Sequence, residues 1–441
     1  MNYVEDPLEI DADPTKELFI EMLVRDIPLI RAIIDLIDNS VDGAIRSGKK
    51  DYSEYYINIE LNKDHFRIYD NCGGIPIDIA KHYAFRFGRP KKLGPTPNSI
   101  GQFGVGMKRT FFKLGNIFYV ESKTSSSSFV INVDVDEWKN RPEWKFRFNE
   151  LTDNLRIEKD RIGTRIEITA LHEYIANQFD LDNFKTELSK EIEKAHYINM
   201  DKGLVINFNG IPLRSNPLKL LHSDQLRPVH WESSFLESTG TPVKVQIYAG
   251  LSERKLRDGG WYIFCNGRMV LESDQSLQTG WGEGDGKVIP KYHADFAFFR
   301  GYAFFESENA SLLPWTTTKT GIDSDSPLYK TVRVEMIKLM RPILDFLRQV
   351  AGEEATEGED GGYLLNVINS ANTSKFFEIQ KEQKFVAPKP LPKVVLPATN
   401  RIQYDKPTKE VDIVKKVLKA KTLKEVGERT FDYFYKMECG E

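Results

Sequence analysis

The chain has 441 residues, 40% of them hydrophobic and 29% charged, with a formal net charge of −4 at pH 7. That length allows two or three domains with proper cores, and the near balance of charge excludes binding of nucleic acid by bulk charge, so any basic surface is local. The three cysteines, Cys72, Cys265 and Cys439, follow no metal-ligand spacing, which argues against a disulfide framework and for a reducing compartment. Met1 to Pro14 is acidic and polar, and charges break every apolar run short of a membrane span. A soluble, cytoplasmic protein with no membrane partner is the expectation.

In chain order, Asp11 to Thr15 reads as a helix start and Leu18 to Leu23 as a short helix. Ile27 to Ile45 reads as a longer helix, and Tyr56 to Leu61 and His65 to Tyr69 as two strands joined by a polar turn. Arg86 to Ser99 is a loop, and Gly106 to Leu114 a helix. Ile117 to Glu121, Phe129 to Val135, Trp144 to Asn149 and Thr164 to Leu171 alternate like strands. Helices followed by an antiparallel run predict an α+β sandwich. A second block opens near Met200, with strands over Gly203 to Phe208, Val243 to Ala249, Trp261 to Asn266 and Ala297 to Phe305, closed by a helix over Leu328 to Val350. Gly352 to Gly362 and the prolines from Pro388 to Pro397 read as linkers. Lys409 to Tyr435 is helical and rich in lysine.

Three segments carry chemistry. On the helix Ile33 to Ala44, apolar side chains occupy one side, while Asp35, Asp38, Asn39 and Asp42 share the other at spacings of three and four. Clustered oxygens without a lysine or arginine suit magnesium, which keeps waters and phosphates as its other ligands; a solvated helix face is the plain alternative. Next, a strand runs into Asp70-Asn71-Cys72-Gly73-Gly74. A carboxylate there accepts from an exocyclic amine, and glycine lets a ring approach the backbone, although the same residues also make an ordinary turn. Third, Gly101-Gln102-Phe103-Gly104-Val105-Gly106 leads straight into a helix containing Lys108. Its amides and the helix N-terminus favour a phosphate, although a mobile turn is the plain alternative; the spacing is not the Walker pattern, and no strand leads directly into the loop as a dinucleotide fingerprint needs. Downstream, Gly163-Thr164 enters a strand and offers a hydroxyl.

The order of these segments resembles the GHKL ATPases: MORC proteins, MutL, type II topoisomerase ATPase subunits and the ninety-kilodalton heat-shock chaperones. The glycine loop is similar to that of the chaperones, and the single-chain layout to MORC and MutL. The resemblance implies a Bergerat-type α/β sandwich binding ATP and Mg2+ over residues 1–195, a smaller α+β transducer domain over 196–350, a linker over 351–400 and a helical, lysine-rich segment over 401–441. It implies Asn39 as the magnesium ligand, with Asp42 near the nucleotide. Asp70 would accept from the adenine amine, with a water from Thr164, and Gly74 would let the base approach. Gly101, Gln102, Phe103, Gly104, Val105 and Gly106 would wrap the phosphates, with charge from Lys108. The family's general base is a glutamate four residues before the asparagine. Here Asp35 stands there, shorter by about 1.5 Å of reach, which predicts slow hydrolysis.

Gly260 to Val270 carries a strand, an Asn-Gly turn and a return strand, similar to the transducer of MutL-like and MORC-like proteins. In Leu313 to Asp323, the resemblance points to Lys319 as the lysine sent to the γ-phosphate. The implied activity is an ATPase working as an ATP-gated clamp, a homodimer when ATP is bound, acting on DNA or on a partner effector protein in bacterial defence or DNA maintenance. Phe431, Tyr433, Phe434 and Tyr435 among lysines fit a DNA contact; an amphipathic helix packed on the body is the alternative. A chaperone-like ATPase and a non-hydrolysing nucleotide-dependent scaffold are the rival functions.

Overall fold

The computed structural model describes residues 14–88, 99–101, 106–215, 217–236, 240–357, 362–391 and 400–439. It divides into two units, residues 1–390 and 391–441.

In the first unit, helix α1 (Lys16–Arg25) starts where the Thr15 hydroxyl accepts from the Leu18 amide at 3.3 Å. Helix α2 (Leu29–Arg46) buries Ile33, Ile34, Ile37, Val41 and Ala44. Strands β1 (Tyr56–Leu61) and β2 (Phe66–Asp70) form a hairpin, followed by the short helix α3 (Ile77–Ile79) and a π-helical turn over Ala80–Ala84. Then come α4 (Gly106–Leu114), β3 (Gly115–Lys123), β4 (Ser127–Asp134), α5 (Val135–Lys139), β5 (Glu150–Asp153) and β6 (Gly163–Leu171). Helices α6 (Glu173–Asp180), α7 (Asp182–Ala195) and α8 (Tyr197–Asp201) lead to β7 (Val205–Phe208) and β8 (Ile211–Pro212).

The eight strands make one sheet in the order β5-β4-β3-β6-β2-β1-β7-β8. Alternation sorts its two faces. Phe66, Ile68, Val120, Ile166 and Ile168 enter the core, where α2 packs on β2 and α4 on β3 and β6. The opposite face carries Arg67, Arg165 and Glu167, joined by ion pairs of 2.7 and 2.9 Å. This is a mixed α+β sandwich with its helices on one face.

Two expectations need correction here. Strand β7 does not open a second block; it pairs in parallel with β1, Ile57 against Ile206 and Ile59 against Phe208, and extends the first sheet. Trp144 to Asn149 is not a strand. Its rings hold it instead: Phe146 lies 5.3 Å from Trp138, and Phe148 5.3 Å from Phe129.

After β9 (Lys219–His222), a second sheet forms from β10 (Val229–Leu236), β11 (Pro242–Leu251), β12 (Gly260–Cys265), β13 (Arg268–Asp274) and β14 (Phe299–Glu306), in the order β10-β11-β14-β12-β13. Every residue of β12 is buried, so apolar side chains fill both its faces. Helix α9 (Pro327–Glu357) covers one face with Val332, Met336, Met340, Ile343 and Leu347. Tyr248, Tyr262, Phe264, Tyr302, Phe304 and Phe376 form an aromatic cluster on the other.

Part of the expected linker is built structure. Helix α10 (Tyr363–Ser370) follows α9, and β15 (Asn372–Lys375) pairs antiparallel with β9. Leu364, Ile368 and Phe376 are buried, which stabilises the fold-back by apolar burial. Gly301 of β14 lies beneath Trp261; a Cβ there would stand 2.3 Å from the indole. Gly301→Ala should therefore lower stability by about 1–3 kcal/mol through overpacking, read as a lower thermal midpoint.

The second unit contains α11 (Thr408–Leu418) and α12 (Leu423–Phe434). Lys419 closes α11 in the left-handed region, and the Thr422 hydroxyl caps α12. Ala420 and Val426 are buried, whereas Phe431, Tyr433, Phe434 and Tyr435 are exposed. Among the described residues, no helix is long and apolar enough to cross a membrane.

Candidate functional site

The polar stripe of α2 is not a solvated helix face. Asp35, Asp38 and Asp42 are buried, and only Asn39 is exposed. Buried carboxylates require partners, and distant parts of the chain supply them. Arg109 of α4 pairs with Asp35 Oδ2 at 2.8 Å. Lys319 Nζ lies 2.7 Å from Asp38 Oδ2 and 3.6 Å from Asp35 Oδ1. Arg268 Nε and His196 Nε2 each lie 3.4 Å from Asp38 Oδ1. Burial alone would push the Asp38 carboxyl up, but Arg268, Lys319 and His196 outweigh it and hold it below the usual range. Burial likewise pulls Lys319 down, and Asp38 and Asp35 overcome this and hold it above its ordinary value. Lys319 occupies the left-handed region at φ 54°, which is uncommon for a non-glycine residue. Its loop is closed by the Thr316 amide donating to Gly321 O at 3.0 Å.

Asn39 Nδ2 donates to Asp35 O at 2.9 Å, which leaves the amide oxygen as an open acceptor. Among the described residues, no cluster of three or more His, Cys, Asp or Glu could cage a metal ion. One amide oxygen on an exposed position fits magnesium held mostly by phosphates and water.

Asp42 accepts from the Ile100 amide at 2.6 Å and the Gly101 amide at 2.8 Å. Both its oxygens therefore grip the segment that leads into the glycine loop. A Cβ on Gly101 would stand 3.0 Å from Asp42 Oδ2. Burial raises the Asp42 carboxyl to about 6, against the pull of those two amides. A raised carboxyl favours the folded state at low pH, and that share is lost as pH climbs from about 4 to about 6. Buried His196, lowered to about 3, acts with the opposite sign, because the unfolded chain takes up a proton below its ordinary value. The difference between parent and Asp42→Asn isolates Asp42. The variant should gain melting temperature relative to the parent as pH rises through 4–6, and equal pH profiles would refute this.

At the end of β2, Asp70 Oδ2 accepts from Ser40 Oγ at 2.7 Å and Oδ1 from the Cys72 amide at 2.8 Å. Each oxygen keeps acceptor capacity, and burial raises the carboxyl. Thr164 stands opposite Asp70 across the β2–β6 ladder, and its hydroxyl lies 3.1 Å from Ser122 Oγ. Gly74 has φ 71°, and a Cβ on it would meet Lys123 O at 2.1 Å, so only glycine fits.

Gly106 starts α4 against Asp35; its Cβ position lies 3.1 Å from Asp35 Oδ2. The shorter acid is thus met by a close approach of the helix. Gln102, Phe103, Gly104 and Val105 lie outside the described residues, as do residues 89–98 of the expected loop. The Lys108 side chain is buried, and Nζ donates to Ala84 O at 2.8 Å. The end of the π-helical turn attracts a cation, and burial lowers this ammonium to about 7.

Four segments therefore converge: the polar side of α2, the Asp70 corner, the start of α4 and the Lys319 loop. Residues 27–164 match the family described as histidine kinase-, DNA gyrase B-, and HSP90-like ATPase. This segment is a GHKL-type ATP-binding domain. The match covers less than half of the chain, from just before α2 to Thr164, and so includes the first three of the four segments. No curated protein matches the chain.

Around this GHKL domain, sequence reasoning overlooked Ser40, Ser122, Arg109, His196 and Arg268. Ser40 directly follows Asn39, and its hydroxyl was a visible signal for a carboxylate partner. Arg268 was visible only as part of a hairpin turn.

Proposed function

We propose that the chain is an ATP-gated switch that binds Mg-ATP in its GHKL domain and hydrolyses it slowly. The observation that carries this reading is Lys319: a cation 281 residues from Asp38 in sequence is buried against it. In the proposed cycle, Asp70 accepts from the adenine amine, with Thr164 and a water beside it, and Gly74 admits the base. Asn39 would hold magnesium, which when bound neutralises charge on the phosphates. Gly101, Gly104 and Gly106, with Gln102, Phe103 and Val105, contribute backbone amides to the phosphates. Lys319 leaves Asp38 for the γ-phosphate, and Asp35 takes the proton of the attacking water.

The Arg109 pair on Asp35 favours slow turnover, because it occupies Oδ2, the oxygen that faces Gly106, and must let go before that oxygen can reach a water. A switch of this kind orders segments through phosphate contacts. Association of two copies on ATP and action on DNA extend the proposal. The exposed Phe431, Tyr433, Phe434 and Tyr435 among lysines support a DNA contact. The test is sizing chromatography of the full chain with magnesium, with and without a non-hydrolysable ATP analogue and duplex DNA. The clamp reading expects a larger species with the analogue and DNA retention that weakens steeply with salt. An unchanged elution volume under every condition removes the clamp, and phosphate release at the buffer rate removes the ATPase.

A further inference from the structure

Between β12 and β13 stand Asn266 and Gly267, at φ 47° and 77°. Two successive positive values are what a two-residue hairpin of this kind needs, and Asn-Gly supplies them. The turn alone does not explain what the Asn266 amide does. Asn266 is buried, and its Nδ2 donates to Ser307 O at 3.0 Å and to Ser99 O at 3.1 Å, while Oδ1 accepts from the Ser307 amide at 3.0 Å. Ser99 is the first of the three residues whose next two amides, Ile100 and Gly101, are held by Asp42. The stem of the glycine loop is thus gripped from α2 on one side and from the second sheet on the other. Two residues further on, fully buried Arg268 lies 3.4 Å from Asp38 Oδ1, on the carboxylate that also holds Lys319.

We infer that the turn Asn266–Arg268 is the positioning element by which the second sheet sets the nucleotide site: Asn266 fixes the stem of the phosphate loop and Arg268 fixes Asp38, so the γ-phosphate site is assembled only when this turn is docked. The inference rests on the ATP-switch reading and names residues which that reading does not use. Neither side chain has to touch the nucleotide. The adenine corner at Asp70, Ser40 and Thr164 is held by bonds that do not involve the turn, so loss of either side chain weakens recognition of the third phosphate more than that of the base.

The experiment uses the full chain with magnesium. Calorimetry compares a non-hydrolysable ATP analogue with ADP for the parent, Asn266→Gly, Asn266→Asp and Arg268→Met. Glycine keeps the positive φ of the turn and removes the amide. Aspartate keeps the volume and an acceptor for the Ser307 amide while removing both donations. Amide hydrogen exchange of β12 and β14 reports whether the second sheet is intact, and that of Ile100 and Gly101 reports the loop stem. With β12 and β14 still protected, Asn266→Gly should lose about tenfold or more in affinity for the analogue and less than about threefold for ADP. Exchange at Ile100 and Gly101 should rise. Should Asn266→Gly loosen the second sheet, the same split is read in Asn266→Asp and Arg268→Met. Equal losses for both nucleotides, or no loss, in an intact variant overturn the inference while leaving ATP binding by the parent untouched. A parent that binds neither nucleotide removes the underlying reading, and this one with it.

Discussion

Asp35→Asn is expected to slow phosphate release by a factor on the order of 100 to 10,000 while ATP still binds, the range general-base removal gives. The position of Asp35 supports this. Its Oδ2 lies 3.1 Å from where a Cβ of Gly106 would be, so it faces the first residue of the helix whose N-terminus would receive the phosphates. Asparagine preserves the shape and can still face Arg109, but it cannot take a proton. The release of the Arg109 cation makes a second, opposite test. Arg109→Met removes the 2.8 Å pair and should leave Asp35 Oδ2 open to a water, so phosphate release should not fall. Asp35→Glu, by contrast, must fit an extra methylene between α2 and Gly106, and it gains only if it displaces Arg109. Normal phosphate release from Asp35→Asn would take the base role away from Asp35 altogether.

Lys319→Met should be strongly destabilising while it leaves backbone geometry alone. Removing one partner of a buried pair costs about 3–5 kcal/mol, and the low end applies here because Arg268 remains at 3.4 Å from Asp38. The loss depends on pH with a definite sign. Asp38 is held below the usual carboxylate range, so its share of stability is present at neutral pH and disappears on acidification through its folded-state value. Lys319 is held above its ordinary range, so its share is present at neutral pH and fades only as pH rises through that higher value. Denaturant unfolding at pH 7 should show the full gap between parent and variant. The double variant Lys319→Met with Asp38→Asn should recover part of it, since no buried carboxylate is left without its lysine. Calorimetry then separates structure from function: affinity for the ATP analogue should fall more than affinity for ADP. Equal effects on the two nucleotides would remove the γ-phosphate role, and an unchanged unfolding free energy would contradict the pair itself.

Local patterns in the sequence carried much of this fold. The period of α2, the start of α4 at Gly106 and the hairpin of β1 and β2 depend on neighbouring residues, so spacing alone reveals them. The glycines at positions 74 and 101 were legible for the same reason. What remained hidden depends on contacts between distant segments. Nothing near Asp38 announces His196, Arg268 or Lys319, and a stripe without cations therefore resembles a solvated face. Lys108 follows a glycine loop, and nothing local announces its bond to Ala84 O in another helix. Strand β7 has an ordinary alternation, and only its parallel partner β1 assigns it to the first sheet. Residues 363–391 lack a long periodic run, and their order comes from burying Leu364, Ile368 and Phe376.

The place of β7 has a practical consequence for anyone cutting the chain. A fragment stopped at residue 195 would strip away the neighbour of β1 and leave Ile57 and Ile59 in a bare, unsatisfied margin, the kind of surface that recruits other chains. It would also sever His196 from Asp38 and omit Lys319. An excised nucleotide-binding piece should therefore extend at least to Pro212, and even then it would keep three buried acids on α2 without two of their cations.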